Sequence, residues 1–254
     1  IADSYSCRKH KGVHKSIDRF RSLVHKVSQN NTRTCWVLKC DIKKFFANID
    51  HAVLERILVE YIPDEEILWL LKLVIKSFST KDGCGLPLGN LTSQVFVNVY
   101  MNVFDQSVKH KLKVRYYMRY ADDFVVLSTE REHLEGLIPG MRRFLSDELS
   151  LTLHPNKVSI ATIASGVDFL GWVHFPDHRV LRASTKRRML RRIQEYPADK
   201  TIQSYLGLLQ HGNTFGLREE VFDTVRLLQS DTRNPTSNIR SVDNIALCDT
   251  LGSF

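Results

Sequence analysis

Val114-Arg115-Tyr116-Tyr117-Met118-Arg119-Tyr120-Ala121-Asp122-Asp123-Phe124-Val125-Val126-Leu127-Ser128 is the stretch that decides the fold. Two runs rich in β-branched and aromatic residues flank Ala121-Asp122-Asp123, which reads as a hairpin carrying two acids. Working backwards, Thr92 opens a helical pattern through Val95, Phe96, Val99, Tyr100, Val103 and Phe104, with one thick apolar face. Gly83 to Gly89 is a Gly- and Pro-rich loop. Residues 51–61 and 64–78 read as helices around Pro63, and Cys35 to Ile42 reads as a short apolar strand containing Asp41 near its end. Residues 14–29 carry Ile17, Phe20, Leu23, Val24 and Val27 at helical spacing.

Forwards from the hairpin, residues 131–148 read as a helix, and 157–162 and 167–175 as strands. Two very basic helices are expected at 184–195 and 200–210. The segment from about 229 to 254 is polar and turn-rich, and a mobile tail is expected there. Helices and strands mix without regular βαβ alternation. The expected class is α+β, an antiparallel sheet with helices on one face.

The chain has 254 residues, with 36 Lys plus Arg against 28 Asp plus Glu, a formal net charge of +8. Its 43% hydrophobic and 25% charged residues exclude a disordered tail, a collagen-like chain and a coiled coil. No apolar run is long enough to span a membrane. The excess of cations makes a polyanionic partner plausible. Cys7, Cys35, Cys40, Cys84 and Cys248 are scattered and odd in number, which speaks against a zinc site or disulfide framework and for a reducing cytoplasm.

Asp41, Asp122 and Asp123 stand out by context. Carboxylates placed side by side repel one another unless a cation neutralises them. A hard divalent cation held by a few carboxylates is the arrangement of two-metal phosphoryl transfer. An Asp-Asp pair at a hairpin, taken alone, is more often simply a turn. Its companions in order along the chain change that reading.

Tyr120-Ala121-Asp122-Asp123 resembles the YxDD box of reverse transcriptases. Asp41-Ile42-Lys43-Lys44-Phe45-Phe46-Ala47-Asn48-Ile49-Asp50 resembles the family's first aspartate motif. Gly85-Leu86-Pro87-Leu88-Gly89-Asn90-Leu91-Thr92-Ser93-Gln94 resembles its nucleotide- and template-facing motif. Leu153-His154-Pro155-Asn156-Lys157 and Phe169-Leu170-Gly171-Trp172 resemble its lysine motif and primer-grip hairpin. The ordered set spans roughly residues 1–210.

The resemblance implies a right-hand polymerase palm with partial fingers and a short helical thumb. The expected limits are partial fingers over 1–35, palm over 36–182 with inserted helices at about 51–80, and thumb over 183–228. It implies two Mg²⁺ ions, with Mn²⁺ as an alternative, held by Asp41, Asp122, Asp123 and the carbonyl of Ile42. Phe46 takes the steric-gate position beneath the sugar, while Phe45, its neighbour in the nucleotide-binding segment, is expected to face the core. Gly89 and Gln94 are expected at the nucleotide or template, and Lys157 as an acid or cation at the leaving pyrophosphate. Template and primer contacts are expected from Arg8, Lys9 and Lys11, from Leu170, Gly171 and Trp172, and from Lys186, Arg187, Arg188, Arg191 and Arg192.

Gly89-Asn90-Leu91-Thr92-Ser93-Gln94 looks like the enzymes of diversity-generating retroelements, which copy a template RNA into cDNA with errors opposite adenine. That subfamily implies a small basic helical accessory protein as partner, beside template RNA, cDNA primer and dNTP. Group II intron and retron enzymes are the alternatives, together with a catalytically silent RNA-binding scaffold and, outside the family, a metal-dependent nuclease. The chain begins at Ile1, and the fingers blocks of complete enzymes do not precede Asp41, so a fragment or shortened form is expected. A cytoplasmic setting in a bacterium, archaeon or phage-infected cell is expected.

Overall fold

The run Phe124-Val125-Val126-Leu127 lacks the polar alternation of a half-solvated strand, and it is buried throughout. Such a strand needs an apolar layer on each side. The computed structural model describes residues 2–233 and shows how that is met. Strands β1 (Trp36–Cys40), β2 (Tyr117–Tyr120), β3 (Asp123–Ser128) and β4 (Ser159–Thr162) form a sheet in the order β2-β3-β1-β4. All three pairings are antiparallel, with Trp36 opposite Ser128 and Cys40 opposite Phe124.

One face, carrying Leu38, Cys40, Tyr117, Phe124 and Val126, packs on α2 (His51–Tyr61), α4 (Leu91–Gln106) and α5 (Arg131–Leu149), with Ile75 of α3 (Glu65–Lys76) in the same core. The other face, carrying Val37, Met118, Val125 and Leu127, packs on α1 (Val13–Val27) through Phe20, Leu23, Val24 and Val27. The α+β class stands, but the expectation of helices on one face is corrected: α1 covers the second. Residues 1–35 were expected as partial fingers; their helix packs on the sheet within the first of two compact units, residues 1–180. Residues 3–5 also join β2, since Tyr5 N–H donates to Arg119 O (3.0 Å) and Arg119 N–H to Asp3 O (2.9 Å).

Two helix starts are written in the sequence. Asp50 accepts the Val53 N–H and Asp64 the Ile67 N–H, both at 3.0 Å, which are N-cap bonds. The apolar face of α4 is rotated from the expected one. Phe96, Val97, Tyr100, Met101, Phe104 and Asp105 are buried, while Val95 is exposed.

Asp105 is the anomaly on that face. It meets Arg119 of β2 in a bidentate pair, Nε to Oδ1 at 2.8 Å and Nη2 to Oδ2 at 2.7 Å, with both side chains 1% exposed. Tyr117 Oη donates to the same Oδ1 at 2.6 Å. Burial acts to lower the Arg119 pKa, but the charge and hydrogen bonds of Asp105 and Tyr117 outweigh it and hold it raised.

The expected strand 167–175 is two strands, β5 (Val167–Phe169) and β6 (Trp172–His174), joined by Leu170-Gly171. Both turn residues have positive φ, 52° and 86°. This is the signature of a two-residue hairpin turn whose twist matches its strands. A third strand, β7 (Arg179–Leu181), completes this sheet. His174 is buried, and its Nε2–H donates to Phe169 O at 3.2 Å, with Phe20 edge-on at 4.9 Å.

The second unit, from residue 181 on, holds α6 (Ala183–Glu195), α7 (Asp199–Leu209) and α8 (Phe215–Arg233). α6 and α7 match the two expected helices, and α8, for which no separate helix was placed, lies largely within the span 183–228 expected as helical. The expected tail falls, from residue 234, outside the described residues. Among the described residues no helix is long and apolar enough to cross a membrane.

Removing Arg119 alone strands the buried Asp105 carboxylate. The Arg119→Met variant is expected to lose about 3–5 kcal/mol of stability, read from the urea midpoint, and Asp105→Leu added to it should restore much of that loss.

Burial pushes the His174 pKa down to about 4, with the Phe169 carbonyl and Asp168 acting upward and Arg179 downward. The unfolded imidazole takes its proton near pH 6.5 and the folded one only near 4. Stability is therefore unaffected above about pH 6.5 and falls as the pH drops towards 4, by on the order of 3 kcal/mol. Unfolding measured across that window should show this slope, and His174→Gln should flatten it.

Candidate active site

The antiparallel register places the three aspartates at one end of the main sheet. Cys40 of β1 faces Phe124 of β3, so Asp41 and Asp123 are the next residues out along adjacent strands. Tyr120 pairs with Asp123, which leaves Ala121-Asp122 as the two-residue turn. Ala121 has φ +54°, a conformation that costs a residue with Cβ about 1–2 kcal/mol. Its carbonyl accepts Arg119 Nη1–H at 3.0 Å. The buried Arg119–Asp105 pair thus braces the turn that carries Asp122.

Asp41 is fixed by its own backbone. His154 N–H donates to Asp41 O (2.8 Å), Lys43 N–H donates to Thr152 O (2.9 Å), and Ile42 bridges Leu153. The same turn delivers Lys157, whose Nζ lies 3.1 Å from Asp41 Oδ2. Three acids and one lysine, distant in sequence, therefore share one locus.

Their charges interact. Burial raises the pKa of Asp122, and the Asp41 charge adds to it against Lys157 and Arg119. Burial likewise pushes Asp123 up to about 6, opposed by Lys39 and Lys157 and reinforced by Asp122 and Asp41. Asp123 Oδ1 is buried without a hydrogen-bond partner. Among the described residues no three His, Cys, Asp or Glu side chains stand together in metal-ligand geometry. The donor chemistry nonetheless suits a hard divalent cation, with carboxylate oxygens, mutual repulsion and an unsatisfied buried oxygen.

Phe45 is buried in the core, which fits the expected orientation of its side chain and corrects its inclusion among the nucleotide-binding residues, whereas Phe46 is half-buried with its ring 5.5 Å from that of Phe45. The Phe46 carbonyl accepts Leu86 N–H at 2.8 Å and the Ile49 carbonyl accepts Gly85 N–H at 2.8 Å. The first aspartate motif and the glycine loop are therefore laced together. His51 Nε2–H adds a bond to Gly85 O at 2.7 Å. Gly89 has φ +89° and open space where a Cβ would sit, so conformation rather than crowding within the chain requires glycine there. Gln94 lies half-exposed in the first turn of α4.

Other expected contacts are less available. Trp172 is only 1% exposed, so its expected contact with template or primer is corrected: the ring starts β6 and faces the interior. Leu170 and Gly171 are half-buried at the turn. Lys11 donates to Ala2 O (2.7 Å) and covers the Tyr5 ring (4.1 Å), and Arg8 donates to Ser4 O (3.2 Å). Lys9 is exposed. On α6, Lys186 pairs with Glu220 (2.7 Å), Arg191 lies 3.7 Å from Glu195, and Arg192 covers the Tyr196 ring (4.4 Å). Arg187 and Arg188 are exposed and make no ion pair among the described residues.

The sequence reading missed Arg119 and Asp105 as supports of the site. The available signal was a charged residue of each sign within an otherwise apolar strand and helix face.

Residues 2–174 match the family described as Reverse transcriptase (RNA-dependent DNA polymerase). The chain is 25% identical over 235 residues to Protein YkfC of Escherichia coli (strain K12), covering 78% of this chain and 60% of that protein. It is 21% identical over 199 residues to the Putative COX1/OXI3 intron 2 protein of Saccharomyces cerevisiae, covering 54% of this chain and 23% of that protein. The chain thus spans less than two thirds of either relative's length. Among solved structures, apo telomerase from Candida tropicalis superposes with TM-score 0.57 at 10% identity, covering 91% of this chain and 47% of that one. Telomerase from Candida albicans with a telomeric RNA fragment gives 0.54 at 11% identity, covering 91% and 43%. These likenesses show a shared polymerase fold. With the family match extending over most of its length and its palm-like α+β sheet, the chain belongs to the reverse transcriptase family.

Proposed function

We propose that the chain carries the catalytic core of an RNA-directed DNA polymerase, which extends a DNA primer along an RNA template by nucleotidyl transfer. The observation that carries this reading is the meeting of Asp41, Asp122 and Asp123, with Lys157, at one sheet end inside the family-matched span.

In this reading Asp41 and Asp122, with Asp123 and the Ile42 carbonyl in support, hold the Mg²⁺ ions, for which Mn²⁺ can substitute. Bound there, the ions supply Lewis-acid stabilisation to the attacking 3′ oxygen and the leaving pyrophosphate. Lys157, 56% exposed and reaching in from the rim, supplies positive charge or a proton to the pyrophosphate. The Phe46 ring sits beneath the sugar and disfavours a 2′-hydroxyl. The tie from its carbonyl to Leu86 keeps that ring in register with Gly89 and Gln94, which face nucleotide and template. α6 serves as a thumb helix, with Arg187 and Arg188 as its freest phosphate contacts. The fingers, palm and thumb limits of 1–35, 36–182 and 183–228 remain our assignment.

The subfamily reading is a diversity-generating retroelement enzyme in the cell interior, working with a small basic helical accessory protein. The Gly89 to Gln94 segment supports it. An intron-encoded enzyme is the second reading, favoured by the similarity to the yeast intron 2 protein.

Primer extension on an RNA template with Mg²⁺ tests the activity. Asp122→Ala with Asp123→Ala should lower the rate about 10³-fold or more, matching several kcal/mol of lost charge stabilisation. Undiminished extension would refute the site, and RNA binding by the parent with no extension at all would favour a silent scaffold. Sequencing the cDNA tests the subfamily: misincorporation should concentrate opposite template adenine, and accurate copying there would favour the intron-type enzyme.

A further inference from the structure

At the other end of the main sheet, beyond Ser128, lies a pocket of about 350 Å³ with a different chemistry. Lys26 from the last turn of α1, Arg33 from the loop before β1, and Lys113 and Arg115 from the approach to β2 all line it. All four are exposed, and none makes an ion pair among the described residues. No carboxylate lines the pocket: Glu130 and Glu132, close in sequence to its walls, stay out of the lining, while His133 is part of it. The three segments are held in place by bonds that owe nothing to those charges. Leu127 N–H donates to Tyr116 O (2.9 Å), and Arg33 N–H donates to Ser28 O (2.8 Å).

Four like charges around one concavity repel one another and lower the cost of bringing in an anion. Tyr116 also lines the pocket, with the Arg115 guanidinium 5.2 Å from its ring centroid, which adds a half-buried aromatic face beside the cations. Cations that track phosphates next to an aromatic ring form the arrangement that holds single-stranded nucleic acid. Asp123 and Ser128 mark opposite ends of β3, about 17 Å apart at the usual strand rise. A ligand in this pocket therefore lies a full strand length from the acids.

We propose that this pocket is a second RNA-binding site, which holds backbone phosphates of a single-stranded RNA segment away from the polymerising end. The proposal rests on the reading of the chain as an RNA-handling enzyme, and it adds a site outside the acid cluster. An anchor there retains RNA on the protein without engaging the acids, so binding and copying are separable.

The test measures affinity of the full chain for a labelled mixed-sequence single-stranded RNA across a salt series. The variant carries Lys26→Gln, Arg33→Gln, Lys113→Gln and Arg115→Gln. A comparison variant neutralises four exposed cations elsewhere, Lys15, Lys81, Arg142 and Arg143. The pocket variant should bind RNA at least about tenfold more weakly and show a salt slope smaller by about 1.4 to 2.8, at about 0.7 for each phosphate that is no longer neutralised. The charge-keeping set Lys26→Arg, Arg33→Lys, Lys113→Arg and Arg115→Lys should retain binding. If the quadruple variant unfolds, the pairs Lys26→Gln with Lys113→Gln and Arg33→Gln with Arg115→Gln give the same reading at half the effect.

Unchanged affinity and slope, or an equal loss in the comparison variant, overturns the proposal. So does loss of binding to phosphatidylcholine–phosphatidylserine vesicles with RNA binding intact, which would make the site a lipid contact. Primer extension by the parent separates the two readings. Extension without pocket-dependent RNA affinity defeats the pocket alone, and pocket-dependent affinity without extension defeats the polymerase reading alone.

Discussion

The bidentate contact of Arg119 with Asp105 is the constraint on which the rest of the palm depends. It joins α4 to the edge strand β2 with both side chains buried, and it draws in several polar groups at once. Two guanidinium nitrogens meet the carboxylate, a third holds the Ala121 carbonyl, and Tyr117 takes a remaining lone pair. A buried pair of this kind adds little stability over a well-packed apolar pair, but half of it alone is costly. What it supplies is geometry. The backbone of the same Arg119 receives residues 3–5, so one residue positions an added edge segment, a helix and the acid-bearing turn.

That bracing bears on a second feature, the concentration of unfavourable terms at the acid end. Ala121 sits in a left-handed conformation, Asp122 and Asp123 are half-buried beside Asp41, and one oxygen of Asp123 has no partner. Each of these would relax if the turn were free to move. The ion pair behind it, the β1–β3 register and the His154 bond to Asp41 together hold it. Strain and crowded charge sustained by rigid surroundings are characteristic of sites built for a ligand or a reaction.

Much of this was legible in the sequence, for identifiable reasons. The Phe124 to Leu127 run reads as a strand, and its lack of polar alternation is the signal for a second covering layer, which the expectation of helices on one face passed over and α1 provides. Asp50 and Asp64 mark their helices because a cap is a local bond. The acids could be ordered along the chain, but only the register brings Asp41 beside Asp123. The pairing of Asp105 with Arg119 was not legible, because it joins a helix to a strand through a long-range choice of face. Composition along 167–175 does not show the turn, since a leucine at positive φ leaves no signal and only Gly171 hints at it; the resemblance of Phe169-Leu170-Gly171-Trp172 to a primer-grip hairpin is what pointed there. Trp172 looked available for a nucleic-acid strand, but alternation along β6 turns it inward. No separate helix was read at α8, although Leu217, Val221, Val225 and Leu228 recur there at helical spacing.

The central position of β1 sets a condition on how the protein is made. Its neighbours are β3, starting at Asp123, and β4, ending at Thr162, so both lie far downstream. On a ribosome, the apolar Trp36–Cys40 segment emerges long before either edge can be paired. Non-local strand pairing of this kind is slow, and the exposed intermediate is prone to aggregate. Until residue 162 has been made, β1 therefore has at least one hydrogen-bonding edge without its native partner.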